Sequence, residues 1–127
     1  RVILKPKHRQ RGLSQHERIS DERRTMTVRE GDPALLFEVN LTDYVDTGLF
    51  LDHRITRQMV RTMARGRRVL NLFCYTGSFT VHAAAGACAS SVSVDLSNTY
   101  LEWARRNMHL NGLASRAHEF IRGDVME

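Results

Sequence analysis

Long apolar runs are missing from this chain of 127 residues. No stretch approaches the roughly 20 apolar residues that a membrane-spanning helix needs, and the N-terminus has no secretory pattern. Cysteine is scarce: only Cys74 and Cys88 occur, both in or near apolar segments. They form no CxxC pair and no histidine cluster stands at ligand spacing, so no zinc site is expected. Reduced thiols in a cytoplasmic protein are the simplest reading. A G-x-G-x-x-G loop is also missing, which argues against a dinucleotide and a nicotinamide-dependent oxidoreductase. No internal repeat is apparent. The chain starts at Arg1 rather than Met, from which an upstream part is expected.

What is present suits a single globular domain, with 42% hydrophobic and 26% charged residues. A chain of this length can bury a core. The formal charge of +5 favours polyanionic partners, although many proteins that bind no nucleic acid share such a balance. The basic residues crowd the start. Arg1, Lys5, Lys7, Arg9 and Arg11 precede the first acidic residue of the arm, Glu17. Residues 1–33 read as a basic arm or linker, either solvated or lying on nucleic-acid phosphates. Nothing aromatic is interleaved to stack on bases, so sequence readout by this arm is not expected.

Beyond the arm, "EGDP" at 30–33 reads as a turn and "ALLFEVNL" as a strand. From His53 to Arg65 the pattern is helical, with Ile55, Met59 and Met63 on one face, Asp52 as N-cap and Gly66 as stop. Arg54, Arg57, Arg61 and Arg65 occupy another face, which is either solvated or an RNA contact. "RRVLNLF" reads as a parallel-type strand, apolar on both faces except at Asn71. A short helix over "SFTVHAAAGA" follows, then a strand over "SSVSVD". A helix capped by Ser97 or Asn98 runs to about Asn111 with Gly112 as stop, and "AHEFIRGD" closes as a strand. The order β-α-β-α-β calls for an α/β fold with a parallel sheet and right-handed crossovers.

In such sheets ligands bind beyond the carboxyl ends of the strands. Three features converge there: the turn from Cys74 to Ser78, Asp95 and Asp124. Asp95 lies about 20 residues past the turn, where a carboxylate can accept from a ribose diol. It can equally cap the helix that follows. Asp124 can accept from an adenine amine, and Asn71 offers an amide near a charged amino-acid group. S-adenosylmethionine carries adenine and ribose but no phosphate, so one glycine at the bend, Gly77, suffices. It is the expected cofactor. Cys74 reads as a small buried residue, with no partner base to make it a nucleophile. Trp103 and Met108 read as helix packing.

"NLFCYTGSFTVHAAAGA", "SVDLSNTYLEWARRNMHLNGL" and "VNLTDYVDTGLFLDHR" resemble the RlmK-type 23S rRNA guanine-N7 methyltransferase domain, the C-terminal half of bifunctional RlmKL (RlmL) enzymes. The resemblance is tight over about residues 34–124, and "LTDYVDTGLFLDHR" is its most specific block. A related group of rRNA cytosine-C5 methyltransferases shares much of the pattern. The resemblance implies a partial Rossmann-like class I S-adenosylmethionine-dependent methyltransferase fold over residues 34–127. It also implies a cytoplasmic enzyme that acts on 23S rRNA and an upstream methyltransferase half in the same polypeptide. Residue by residue, it implies cofactor contacts at Asn71, Phe73, Tyr75, Thr76 and Gly77, with Asp95 on the ribose, Leu96 beside the adenine and Asp124 facing its amine. Asp52 and Arg54 would lie near the methionine end. Lys5, Lys7, Arg9, Arg11, Arg57 and Arg61 are the candidate RNA contacts.

The family's Asp/Asn-Pro-Pro catalytic motif does not occur up to Glu127. The chain is therefore expected to be a fragment with little activity of its own and no assignable catalytic residue. Without a fourth strand, the "VLNLF" strand would present a bare edge, which is expected to pair with another copy of the chain (self-association) or with disordered remnants, or to leave the fragment only marginally stable. A non-catalytic RNA-binding module is the alternative from another class.

Overall fold

The computed structural model describes residues 25–42 and 46–127. Two sheets are present among them. β1 (Thr25–Glu30) and β2 (Leu35–Asn40) form an antiparallel hairpin, in which Thr25 faces Asn40 and Glu30 faces Leu35. The second sheet is parallel in the order β3 (Arg68–Leu72), β4 (Ser90–Asp95) and β5 (His118–Arg122). Three helices connect these strands: α1 (Arg54–Met63), α2 (Ser78–Ala85) and α3 (Asn98–Leu110). A 3-10 turn at Leu51–His53 leads into α1. The parallel α/β architecture is as expected, with β3 at one end of its sheet.

The hairpin corrects the reading of residues 25–33 as part of an arm. "TMTVRE" is polar, yet it alternates, and Val28 and Glu30 face inward. β2 alternates more cleanly, burying Leu35, Phe37 and Val39. These meet Leu49, Val81 and Met108 in a core between the hairpin and helices α2 and α3.

On its other edge β2 is closed by side chains of α3. Trp103 Nε1 donates to the Glu38 carbonyl, Asn107 Oδ1 accepts from Glu38 N–H, and Asn111 pairs with both backbone groups of Leu36. The spacing 103, 107, 111 sets one polar group per helical turn against a strand edge. The edge is satisfied without another strand.

Helix α1 also departs from expectation. Its N-cap is His53, with no side-chain cap, and Asp52 sits exposed in the preceding 3-10 turn. Only part of its arginine face turns inward: Arg54 and Arg65 stay exposed, but Arg57 is 1% exposed and makes a fork to both carboxylate oxygens of Glu30 at 2.6 Å. Arg61 is half-buried and donates to the Pro33 carbonyl. Ile55, Met59 and Met63 face outward at 70%, 56% and 63% exposure. Close approach decides the orientation. Gly86 lies against the Arg61 backbone so tightly that a Cβ would overlap it, so α1 is fixed against the end of α2.

Candidate functional site

The turn after β3 is built by its own backbone. Cys74 N–H donates to the Val94 carbonyl, Gly77 N–H to the Cys74 carbonyl, and Tyr75 N–H to Asp95 Oδ2. Phe73, Tyr75 and Gly77 all have positive φ, at 56°, 52° and 74°. Gly77 has a second reason to be glycine, since a Cβ there would lie 2.7 Å from the Ala104 Cβ. Three amides of the turn are thereby engaged by protein acceptors. A phosphate-binding loop needs such amides free, so this turn is not one.

Asp95 is held at both oxygens. Oδ2 accepts from Tyr75 N–H at 2.8 Å and Oδ1 from Ser97 N–H at 2.9 Å. Its carboxylate thus braces the start of α3, whose N-cap is Ser97, accepting from Tyr100 N–H. Each oxygen retains a further lone pair, so the ribose and capping roles are compatible.

A cleft of about 340 Å³ opens above these strand ends, lined by Asp46, Phe50, Phe73, Tyr75, Asp95, Leu96, Tyr100, Gly123, Asp124 and Val125. Five expected positions fall in it: Phe73, Tyr75, Asp95, Leu96 and Asp124. The others stand elsewhere. Asn71 donates its amide to Thr80 Oγ1, whose hydroxyl also bonds Ser93. Thr76 is fully buried and donates to the Gly48 carbonyl, while its own carbonyl accepts from Asn107 Nδ2. Gly77 shapes the turn from behind. Arg54 borders the hairpin, beside Gly31 and Glu30, and Asp52 is exposed on the 3-10 turn. None of these five lines the cleft.

The lining residues not singled out in the sequence include Asp46, Phe50 and Tyr100. The loop that carries Asp46 and Phe50 is pinned at Gly48. Its N–H donates to Tyr75 Oη at 2.9 Å and its carbonyl accepts from Thr76 Oγ1. Gly48 has φ +103°, and a Cβ there would overlap the buried Trp103 ring. The aromatic wall is continuous: Phe50 on Tyr75 at 5.1 Å, and Tyr75 edge-on to Tyr100 at 4.6 Å. The signal for this loop was its place inside the most specific block of the resemblance.

Burial, and then the Asp95 charge, push the Cys74 thiol up to about 12. It is therefore a thiol near neutrality, not a thiolate. Burial, followed by the neighbouring Tyr100 and Asp46, also raises the Tyr75 hydroxyl. Of the candidate RNA contacts, Arg57 is withdrawn: its buried fork to Glu30 leaves nothing for a phosphate. Lys5, Lys7, Arg9 and Arg11 lie outside the described residues. Among the described residues no group of His, Cys, Asp or Glu could hold a metal ion, and no helix is long and apolar enough to cross a membrane.

A parallel sheet with a phosphate-free turn, a braced carboxylate at the second strand end and an aromatic cleft is what a nucleoside-bearing cofactor requires. The family model for S-adenosylmethionine-dependent methyltransferases matches residues 2–126, and the chain belongs to that family. Among curated relatives it is 56% identical over 127 residues to the ribosomal RNA large subunit methyltransferase K/L of Pseudomonas aeruginosa. It is 51% identical over 126 residues to that of Vibrio cholerae. The match takes in 100% and 99% of this chain but only 17% and 18% of those proteins. Among solved structures, a methyltransferase complexed with SAH aligns with TM-score 0.75 and 33% identity, over 80% of this chain and 27% of that one. The S-adenosylmethionine-dependent methyltransferase of Agrobacterium tumefaciens aligns with TM-score 0.72 and 27% identity, over 80% and 33%.

Proposed function

We propose that this chain forms the cofactor-binding part of a ribosomal RNA methyltransferase, which transfers a methyl group to guanine N7 of 23S rRNA. The observation that carries the cofactor reading is the turn itself, whose amides serve Asp95 and the strand rather than a phosphate. Asp95 and Asp124 would hold the ribose and the adenine amine, with Leu96 and Phe73 beside them. When bound, S-adenosylmethionine supplies a sulfonium methyl open to in-line attack. Guanine N7 carries an in-plane lone pair, so the protein need only position the base, about 3–3.5 Å from the methyl carbon, without a strong general base. The substrate class follows from the K/L-type relatives, and N7 from the resemblance.

Cytosine-C5 transfer is the weaker reading. It needs a cysteine nucleophile, and Cys74 is buried in the turn with its thiol raised to about 12. Titration calorimetry with S-adenosylhomocysteine should show binding by the wild-type chain, lost in Asp95→Ala. Full-length enzyme should then leave a borohydride- and aniline-sensitive site in 23S rRNA, the mark of 7-methylguanosine. A bisulfite-resistant cytosine instead would replace N7 by C5. No binding by either the chain or the full-length enzyme would remove the methyltransferase assignment of the cleft.

A further inference from the structure

We propose that the amino ends of the parallel strands form an RNA-contact surface, where Arg65, Arg67, Arg68 and Arg116 hold phosphates of a base-paired segment. The proposal rests on the ribosomal RNA reading above. It places the anchoring contact at the end of the sheet opposite the cofactor cleft.

Pairing makes the first argument. Eleven arginines fall among the described residues. Arg57, Arg61, Arg105, Arg106 and Arg122 are held by carboxylates or backbone carbonyls. The other six are exposed and have no such partner among the described residues, and four of the six gather at this one end. Placement makes the second. Arg68 opens β3 opposite Ser90, and His118 opens β5 opposite Ser91, so the outer strands start two spacings apart, about 10 Å. Arg65 and Arg67 lead into β3, and Arg116 leads into β5. Residues 86–91 between them carry no charge, and both arginine segments are fastened to that stretch. Gly66 N–H donates to the Ala87 carbonyl at 2.9 Å, Ala89 N–H to Arg67 at 2.8 Å, and Ser91 N–H to Ala117 at 2.9 Å. The backbone that carries the four cations is therefore set before a ligand arrives.

Polarity makes the third. The segments 64–68, 86–91 and 111–118 contain these four arginines and no acidic residue, the next acid being Glu119 on β5. At the carboxyl ends the sign changes, with Asp46, Asp95 and Asp124 on the cleft lining. The strands separate the two ends by about 17–20 Å. A polyanion is thus drawn to the amino end by charge. The exposed aromatic rings among the described residues, Phe50 and Phe73, both stand at the cleft. Cations without a stacking ring suit the backbone of a duplex rather than unpaired bases.

The test is fluorescence anisotropy of a labelled RNA duplex of about 20 base pairs, titrated with the full chain over a range of salt concentrations. Arg65→Gln, Arg67→Gln, Arg68→Gln and Arg116→Gln should each lower the salt slope by about one. The fourfold variant should bind more than about tenfold more weakly at 0.1 M salt and keep its affinity for S-adenosylhomocysteine. Arg116→Lys should retain the wild-type slope, because a phosphate needs the charge rather than the planar fork. Arg29→Gln, an equal loss of charge elsewhere, should move the slope by less than about 0.3. An Arg29→Gln effect as large as that of Arg116→Gln would reduce the result to net charge and overturn the proposal. Loss of S-adenosylhomocysteine together with RNA in the fourfold variant would give these loops a structural role and overturn it too. The same variants in full-length enzyme, measured on 23S rRNA, complete the test: RNA binding indifferent to all four arginines overturns the proposal alone. No RNA binding by either the wild-type chain or the full-length enzyme would sink the ribosomal RNA reading with it.

Discussion

The two faces of the parallel sheet invert the usual assignment of polar and apolar. The face covered by helices presents Asn71, Ser91 and Ser93, with both serines buried. The opposite face presents Leu70, Leu72 and Ile121 at 64%, 44% and 45% exposure, with Val92 and Val94 half-buried between them. On the covered side every one of those polar groups has a partner: Asn71 and Ser93 meet at Thr80, and Ser91 bonds His118 Nδ1 at 2.8 Å. The helix side thus combines directional bonds with Val69 and Phe120, while the open side carries Leu70, Leu72 and Ile121 beside exposed Arg68 and Glu119, with no cover among the described residues. Helix α1 repeats the pattern, with Arg57 inside and Ile55, Met59 and Met63 outside. Burial here follows from completed hydrogen bonding, not from hydropathy alone.

The sharpest break in this comparison is Arg57→Ala. It strands Glu30, 6% exposed, without its fork. A loss of about 3–5 kcal/mol is expected in urea unfolding, enough to unfold a marginal domain. A loss below about 1 kcal/mol would mean that the ion pair does not hold the covered side.

The next effect is a pH dependence centred on His82. This ring is buried, stacked on Phe37 and bonded through Nδ1 to the Ser78 carbonyl at 2.8 Å. Its Nε2 lies 3.3 Å from Glu30 Oε2 and makes no hydrogen bond in the neutral form. Burial lowers its pKa from 6.5, outweighing the Ser78 carbonyl and Glu30, which favour the charged form. The folded state therefore binds fewer protons than the unfolded chain. Stability is full above pH 6.5 and falls as the pH drops from there through the lowered folded value. The slope cannot exceed about 1.4 kcal/mol per pH unit for one proton. Unfolding curves between pH 7 and pH 5 should show it, and His82→Gln should flatten it. His118, also lowered by burial, would leave a residual slope of the same sign.

The smallest effect belongs to the open face. Leu70→Asn should change stability by under about 0.5 kcal/mol and reduce any self-association seen by light scattering. A loss near 2 kcal/mol would mean that Leu70 is buried in solution by another copy of the chain.

The local elements were largely legible. Apolar runs and stops placed β3, α2, β4, α3 and β5 within a residue or two of the residues that form them. Ser97 as cap and Gly112 as stop follow directly from helix-end chemistry. The cofactor turn and Asp95 were also visible, because a chain that needs no phosphate cradle announces it by missing glycines. β1 was not visible, since a hydrophilic strand reads as arm until its partner strand is known. Asn71 looked like a ligand-facing amide, but the side of β3 it occupies depends on which face the helices cover. Asp46 and Phe50 lie about 20 residues or more from the turn, and only the clamp on Gly48 brings them over it.

What the sequence alone determined is the string of strands and helices and the chemistry of the turn, because capping, periodicity and positive φ act over a few residues. What tertiary structure decided is which side of each element is inside. That choice was made by contacts far apart in the chain: Gly86 against Arg61, Gly48 against Trp103, Arg57 on Glu30, and α3 side chains on the edge of β2. Each depends on two distant segments fitting at close range, which neither segment encodes separately.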